Sequence, residues 1–137
     1  MTGNLSKTEE VNLLASEACW AWPRALESLF RPRGVNLMVA ENADDFIEIL
    51  EHRRIHTAIV DMDSEKSSEL ATVRIIKIHN PSMPCILLTT EASKALLDKA
   101  LELNVFSVLN KPVDMEILRL QLNRLFMKKY NSNIFAE

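Results

Sequence analysis

The sequence predicts an α/β fold in which a parallel β-sheet is covered by helices on both faces. Strand-like and helix-like hydrophobic patterns alternate five times along the 137 residues, which is typical of parallel strands joined by crossover helices. Three of the strand segments are short apolar runs, and each of them ends at a different polar residue: Asp61, Thr89 or Lys111. We therefore expect a single domain whose strand ends carry its chemistry.

The first half of the chain contains three predicted strands with a helix between each pair. Strands are expected at 11–15, 35–40 and 58–61, where apolar residues run continuously. Gly34 is expected to close the first helix, because glycine readily adopts the left-handed backbone that commonly follows a helix. Asp44 marks the first turn of the second helix, where an acidic side chain interacts favourably with the helix dipole. The first helix is indicated by apolar residues at helical spacing: Trp22, Leu26, Leu29 and Phe30.

The second half begins with a polar loop at 64–68, followed by a third helix. This helix is expected to end before Asn80, because the proline that follows disfavours a helical residue ahead of it. The fourth and fifth strands are predicted at 85–88 and 105–109. Asn104 lies between the fourth helix and the fifth strand, where a residue that tolerates positive φ is needed.

A last helix and two terminal segments complete the predicted organisation. Asp114 is a plausible N-cap for a helix that runs to Asn131, since aspartate accepts hydrogen bonds from the first helical N–H groups. We assign residues 11–130 to one domain, 1–10 to a disordered N-terminal tail and 131–137 to a loose C-terminal tail.

Composition restricts the classes of function. Hydrophobic residues make up 47% and charged residues 26% of the chain, and the net charge is −3. This balance is typical of a globular domain and gives no electrostatic reason to expect direct nucleic-acid binding. No secretory signal and no apolar run of the roughly 20 residues needed to span a membrane are present. We therefore expect a cytoplasmic protein without a membrane partner.

The histidines and cysteines are not expected to form a metal site. Cys19 and Cys85 lie in apolar surroundings without metal-site spacing, and we expect two reduced, buried thiols. His52 and His56 are four residues apart, as in a helical metal pair. The second helix is expected to end near Arg54, however, so we expect two unrelated surface histidines.

The polar residues at the strand ends suggest phosphate chemistry. In an open parallel sheet, the carboxyl ends of the strands form one crevice where ligands bind. Asp61, Thr89 and Lys111 would bring an acid, a hydroxyl and an ammonium together there. In this order, and with Glu17 after the first strand and Pro112 after Lys111, the chain resembles the receiver domain of bacterial two-component response regulators over residues 11–130. The resemblance implies the flavodoxin-like strand order 2-1-3-4-5.

The resemblance also implies a phosphoacceptor and a metal site. Asp61 corresponds to the aspartate that accepts a phosphoryl group, and a divalent cation such as Mg²⁺ is needed because both reactants are negative. Glu17, Asp61 and the backbone carbonyl of Asp63 match the positions of the metal ligands, and Ser16 matches one that acts through water. Mg²⁺ suits such a site because it prefers oxygen ligands and keeps several waters.

Two further residues match positions that bind the phosphoryl group. Lys111 would pair with one phosphoryl oxygen, and the Thr89 hydroxyl would donate a hydrogen bond to another. In the family this last hydrogen bond acts as the switch.

The chain also departs from the family pattern. Ser16-Glu17 replaces the usual pair of acids, so we expect weaker metal binding. Val108 replaces the aromatic residue of the fifth strand that normally follows the switch hydroxyl, and we expect a weaker coupling between phosphorylation and output. Thr90 replaces a smaller residue and would narrow access for the phosphoryl group.

The resemblance predicts a single-domain signalling module rather than an enzyme. Its partners would be a histidine kinase or phosphotransfer protein, and then an effector or a second copy bound through the fourth helix, fifth strand and fifth helix. One alternative is a degenerate pseudo-receiver that binds its partner without phosphorylation. Another is a small flavodoxin-like redox protein, but this would need a phosphate-cradling loop after the first strand, where Glu17 places an acid.

Overall fold

A computed structural model describes residues 10–16, 22–64 and 70–136. Its centre is a five-stranded parallel sheet with the order β2-β1-β3-β4-β5. This confirms the predicted fold class and strand order. The strands are β1 (Val11–Ser16), β2 (Val35–Ala40), β3 (Thr57–Asp61), β4 (Cys85–Thr89) and β5 (Ser107–Asn110).

Five helices cover the sheet, and side-chain caps fix the starts of three of them. Asn42 Oδ1 accepts a hydrogen bond from Asp45 N at 2.9 Å, and Ser93 Oγ accepts one from Leu96 N at 3.1 Å. Asp114 Oδ1 accepts from two N–H groups of the last helix, as its predicted N-cap role requires. The helices are α1 (Trp22–Phe30), α2 (Ala43–His52), α3 (Ala71–His79), α4 (Lys94–Glu102) and α5 (Met115–Tyr130). Among the described residues, no helix is long and apolar enough to cross a membrane.

The core lies on both faces of the sheet because successive strand residues point to opposite sides. On one face, strand residues such as Leu13 and Ile59 pack with side chains of α1 and α5. On the other face, Leu14 and Val60 pack with side chains of α2, α3 and α4. The three central strands β1, β3 and β4 are therefore buried on both faces, which explains their mainly apolar sequences, whereas the edge strands β2 and β5 are partly exposed.

Element boundaries differ from the predicted ones where local caps decide them. A 3₁₀ turn extends α1 as far as Gly34, whose φ of 71° provides the predicted left-handed residue. Ser93 caps α4, which begins at Lys94. Asn104 has a φ of 56°, as predicted, and β5 begins only at Ser107.

The C-terminal segment differs from the loose tail expected at 131–137. The Phe135 side chain is fully buried, with ring centroids 5.7 Å from Phe30 and 5.0 Å from Phe126. Arg119, itself buried, donates from Nη1 to the Phe135 carbonyl oxygen at 2.6 Å. The packed part of the chain therefore continues past α5. The tail predicted at the N-terminus lies, for residues 1–9, outside the described residues.

His56 corrects another expectation, whereas Cys85 agrees with its prediction. His56 is completely buried, and its Nδ1 accepts a hydrogen bond from the Asn12 N–H at 3.2 Å. Its ring packs edge-on against Tyr130, with centroids 5.2 Å apart. His52 is exposed, as expected. Cys85 is buried, and this raises the pKa of its thiol to about 11, whereas Cys19 lies outside the described residues.

Candidate functional site

The carboxyl ends of β3, β4 and β5 bring Asp61, Thr89 and Lys111 to one edge of the sheet. Asp61 is paired in register with Leu88, and Thr89 is paired with Asn110. Lys111 N donates to the Thr89 carbonyl oxygen at 2.8 Å, which keeps the chain beside β4 after β5 ends. Parallel pairing therefore makes neighbours of side chains that are far apart in sequence.

The centre of the site is an ion pair between Asp61 and Lys111. Lys111 Nζ lies 2.5 Å from Asp61 Oδ2. The Asp61 side chain is 3% exposed and the Lys111 side chain 12% exposed, so little water screens the pair. The carboxylate is therefore held in a fixed position by a neighbouring cation.

Asp63 brings a second carboxylate to the same ammonium. Its Oδ2 lies 2.9 Å from Lys111 Nζ, and its backbone N–H donates to Asp61 Oδ1 at 2.9 Å. The short 3₁₀ turn at Met62–Ser64 places it there, directly after β3. The resemblance had assigned a role only to its backbone carbonyl, so the Asp63 side chain is a member of the site that sequence reasoning missed.

The charges of the site are mutually stabilised. Burial alone would lower the pKa of the Lys111 ammonium, but its hydrogen bonds to Asp61 and Asp63 outweigh this effect and raise the pKa. Burial alone would raise the pKa of the Asp63 carboxyl, but hydrogen bonds from Lys111 and Thr90 outweigh this effect and lower the pKa. Lys111 and Asp63 therefore both remain charged at neutral pH.

The two threonines at the end of β4 also face Asp63. Thr90 donates to Asp63 Oδ1 from its backbone N–H at 3.1 Å and from its hydroxyl at 3.2 Å. The Thr89 hydroxyl is 3.4 Å from the same oxygen and closer, at 3.1 Å, to the Glu91 carbonyl oxygen. Only the bulk of Thr90 was expected to matter from the sequence, although a hydroxyl at the end of a strand indicates that the residue can donate a hydrogen bond there.

The residues predicted to bind a metal are described only in part. Ser16 Oγ accepts a hydrogen bond from Asp61 N at 2.6 Å, so this hydroxyl connects the end of β1 to the end of β3. Glu17 lies outside the described residues. Within the described ranges, no group of three or more His, Cys, Asp or Glu residues is arranged to hold a metal ion. The donors that are present are oxygen atoms, which is the chemistry that Mg²⁺ prefers.

Comparison with known proteins identifies the family. Residues 21–123 match the response regulator receiver domain. The chain belongs to this family. The match spans most of the chain and includes Asp61, Thr89 and Lys111.

The chain is similar to curated proteins and to solved structures of other proteins. The chain is 29% identical over 113 residues to a cyclic di-GMP phosphodiesterase of Thermotoga maritima; the match covers 79% of the chain but only 30% of that longer protein. The signal receiver domain of an HD domain-containing protein from Pseudomonas fluorescens has a TM-score of 0.77 at 22% identity, with 90% of this chain and 100% of that one covered.

A third related structure contains ligands. It is a Burkholderia pseudomallei response regulator with a phosphorylated aspartic acid, a calcium ion and citrate, and it has a TM-score of 0.70 at 22% identity. The match covers 85% of this chain and 66% of that protein. At this identity the likeness establishes a shared fold.

β5 forms one edge of the sheet and contains Val108. Val108 is half-buried and packs against the core beneath α4. Several large apolar side chains of α4 and α5 are exposed: Leu97, Leu101, Ile117 and Leu120. This is the surface that the sequence predicted for partner binding.

The opposite end of the sheet carries two basic cavities. A cavity of about 510 Å³ opens beside the residues that precede β3 and β4, and one of about 670 Å³ opens beside those that precede β4 and β5. Among the described residues that line them, none is acidic. The basic residues in the two linings are Arg53, Arg54, Lys77, Arg124, Lys128 and Lys129.

Proposed function

We propose that this receiver domain accepts a phosphoryl group on Asp61 from a histidine kinase or phosphotransfer protein, and that this changes its affinity for a partner protein. The observation that carries the proposal is the buried Asp61 carboxylate held 2.5 Å from Lys111 Nζ at the strand ends. A preformed carboxylate next to a fixed cation suits the transfer of an anionic group, because the cation stabilises charge on the group that arrives.

The proposed reaction is a nucleophilic substitution at phosphorus. One Asp61 oxygen attacks the phosphorus of a phosphohistidine, a P–O bond forms, and the P–N bond breaks with its electron pair remaining on the imidazole nitrogen. The product on this chain is an aspartyl phosphate. Lys111 orients the carboxylate before the reaction and pairs with a phosphoryl oxygen after it. The hydrogen bond from Asp61 N to Ser16 Oγ fixes the backbone of the nucleophile.

Mg²⁺ is the cofactor that this donor set fits best. We propose that Asp61, the Asp63 carbonyl and Glu17 hold it, with Ser16 acting through a water molecule. When bound, the ion would neutralise part of the negative charge of the carboxylate and the phosphoryl group.

The proposed output surface comprises α4, β5 and α5. Exposed leucines such as Leu97 and Leu101 offer apolar contacts to an effector or a second copy. We propose a cytoplasmic module that does not itself contact nucleic acid. Because Val108 is small, it cannot transmit a change at Thr89 by the movement of a large side chain.

A phosphorylation-independent pseudo-receiver is the second candidate. It is favoured by Lys111, which already contacts both Asp61 and Asp63, and by Ser16, which replaces one acid of the usual pair. In this reading the ion pairs would serve stability, and the output surface would bind its partner constitutively.

Incubation with acetyl phosphate, followed by intact-mass spectrometry, separates the two candidates. With Mg²⁺, we expect the wild-type chain to gain one phosphoryl group and Asp61→Asn to gain none. Asp98→Asn is the matched control because this aspartate is exposed on α4 and pairs only locally, with Lys94. An unlabelled wild-type chain, at any Mg²⁺ concentration, would favour the pseudo-receiver, whereas labelled Asp61→Asn would place the acceptor elsewhere.

A further inference from the structure

We propose that the Asp63 carboxylate is an internal anion that occupies the position of a phosphoryl oxygen in this site. An incoming phosphoryl group would then have to displace Asp63 before it could bind fully. This inference rests on the proposed phosphoacceptor function and adds a competitor that tunes it. Asp63 is thus a positioning residue that determines how readily the site accepts a tetrahedral anion.

Several hydrogen-bond donors converge on the Asp63 carboxylate. Its Oδ2 contacts Lys111 Nζ at 2.9 Å, and its Oδ1 accepts from Thr90 N at 3.1 Å and Thr90 Oγ1 at 3.2 Å. The Thr89 hydroxyl lies 3.4 Å away. An ammonium, a backbone N–H and hydroxyls around one anion are the groups that bind phosphate oxygens. Here a carboxylate of the chain itself uses them.

The carboxylates of Asp61 and Asp63 differ in their exposure to solvent. The Asp61 side chain is 3% exposed, whereas that of Asp63 is 31% exposed. Asp63 sits at the rim and can turn towards water without leaving an unsatisfied charge in the interior. Asp61 has no such route. The rim carboxylate is therefore the one that an incoming anion can replace.

The charges of Asp63 and of a phosphoryl group on Asp61 would compete for the same cation, Lys111. A phosphoryl group on Asp61 would bring a further negative charge to Lys111, which is already shared by two carboxylates. Like charges at such distances repel, and the donors of Thr90 cannot serve both anions fully. Removal of the Asp63 charge should therefore improve the binding of a phosphoryl mimic. If Asp63 served chiefly as a metal ligand through its side chain, its removal would have the opposite effect.

The test measures the affinity for beryllofluoride at saturating Mg²⁺ by isothermal titration calorimetry. The variants are Asp63→Asn and Asp63→Ala, with Glu51→Gln as a control that removes one negative charge from an exposed position in the last turn of α2, outside both the site and the proposed output surface. We expect both Asp63 variants to bind about tenfold more tightly than wild type, as expected for the loss of one competing charged hydrogen-bond partner. The amide resonance of Thr90 should also shift in the unliganded Asp63 variants, and not in Glu51→Gln.

The outcomes distinguish this inference from the proposed function. Tighter binding in both Asp63 variants, or binding that appears only in them, supports the inference. Wild-type binding with unchanged or weaker affinity in the Asp63 variants would overturn the inference and leave the phosphoacceptor function intact. Absence of binding in wild type and in every variant would overturn the phosphoacceptor function, and the inference with it.

Discussion

Replacement of Phe135 by alanine should destabilise the receiver domain by about 3 kcal/mol, although this residue is only two positions from the end of the chain. Phe135 is fully buried, and its ring meets those of Phe30 and Phe126. The Arg33 guanidinium lies 5.9 Å from the ring centroid. Substitution of a buried phenylalanine by alanine generally costs about 3–5 kcal/mol. We take the lower value because the surrounding side chains can relax into part of the space that is left.

Thermal unfolding followed by circular dichroism tests this value. The entropy of unfolding is about 2.1 cal/mol/K per residue, or about 0.3 kcal/mol/K for 137 residues. A loss of about 3 kcal/mol therefore corresponds to a fall in Tm of about 10 °C. This is a large part of the roughly 5–15 kcal/mol that stabilises a typical domain.

Two comparisons show whether the ring is responsible. Asn133→Ala changes an exposed neighbour and should shift Tm by less than about 2 °C. Deletion of residues 134–137 should lower Tm at least as much as Phe135→Ala, since it removes the same buried ring and also the carbonyl oxygen that accepts from Arg119 Nη1. A fall of less than about 3 °C in Phe135→Ala would refute the argument that this segment belongs to the core.

Two further predictions concern the acidic site. Ser16→Asp should tighten Mg²⁺ binding by about tenfold, because it adds a carboxylate oxygen beside Asp61; isothermal titration calorimetry that shows unchanged or weaker binding would contradict the role given to Ser16. Lys111→Met should destabilise the fold most below about pH 10. The pKa of Lys111 is raised in the folded state above its usual value of 10.5, so the charged ammonium stabilises the folded protein below that value. This contribution is lost as the pH rises through the folded-state pKa. Urea unfolding of both proteins between pH 8 and about 11.5 should show the stability difference shrinking at the alkaline end, and a difference that stays constant would count against the ion pairs.

The strand ends were predictable because their signals are local. Each of the three apolar runs is short, and the polar residue that ends it is adjacent in sequence, as with Asp61 and Thr89. Parallel topology then requires these ends to meet at one edge. The N-cap role of Asp114 was predictable for the same reason, since a cap depends on the next few residues only.

The features that sequence reasoning missed depend on contacts between distant residues. The Asp63 carboxylate meets Thr90 and Lys111 only because a 3₁₀ turn directs it across the end of β4. Phe135 lies in a segment of seven residues after α5, with apolar neighbours at Ile134 and Ala136 only, which is too short to show a hydrophobic period. His56 is buried because the chain enters β3 beneath Tyr130 and Phe126, which lie on α5.

The two basic cavities lie at the end of the strands that is opposite the acidic site. Asp61 and Asp63 lie at one end of the sheet, and the arginines and lysines of the cavities lie at the other. β3 and β4, of five residues each, separate these ends by roughly 16 Å. That is about twice the Debye length of roughly 8 Å at physiological ionic strength. A protein that approaches either end therefore responds mainly to the local charge, and the net charge of −3 describes neither encounter.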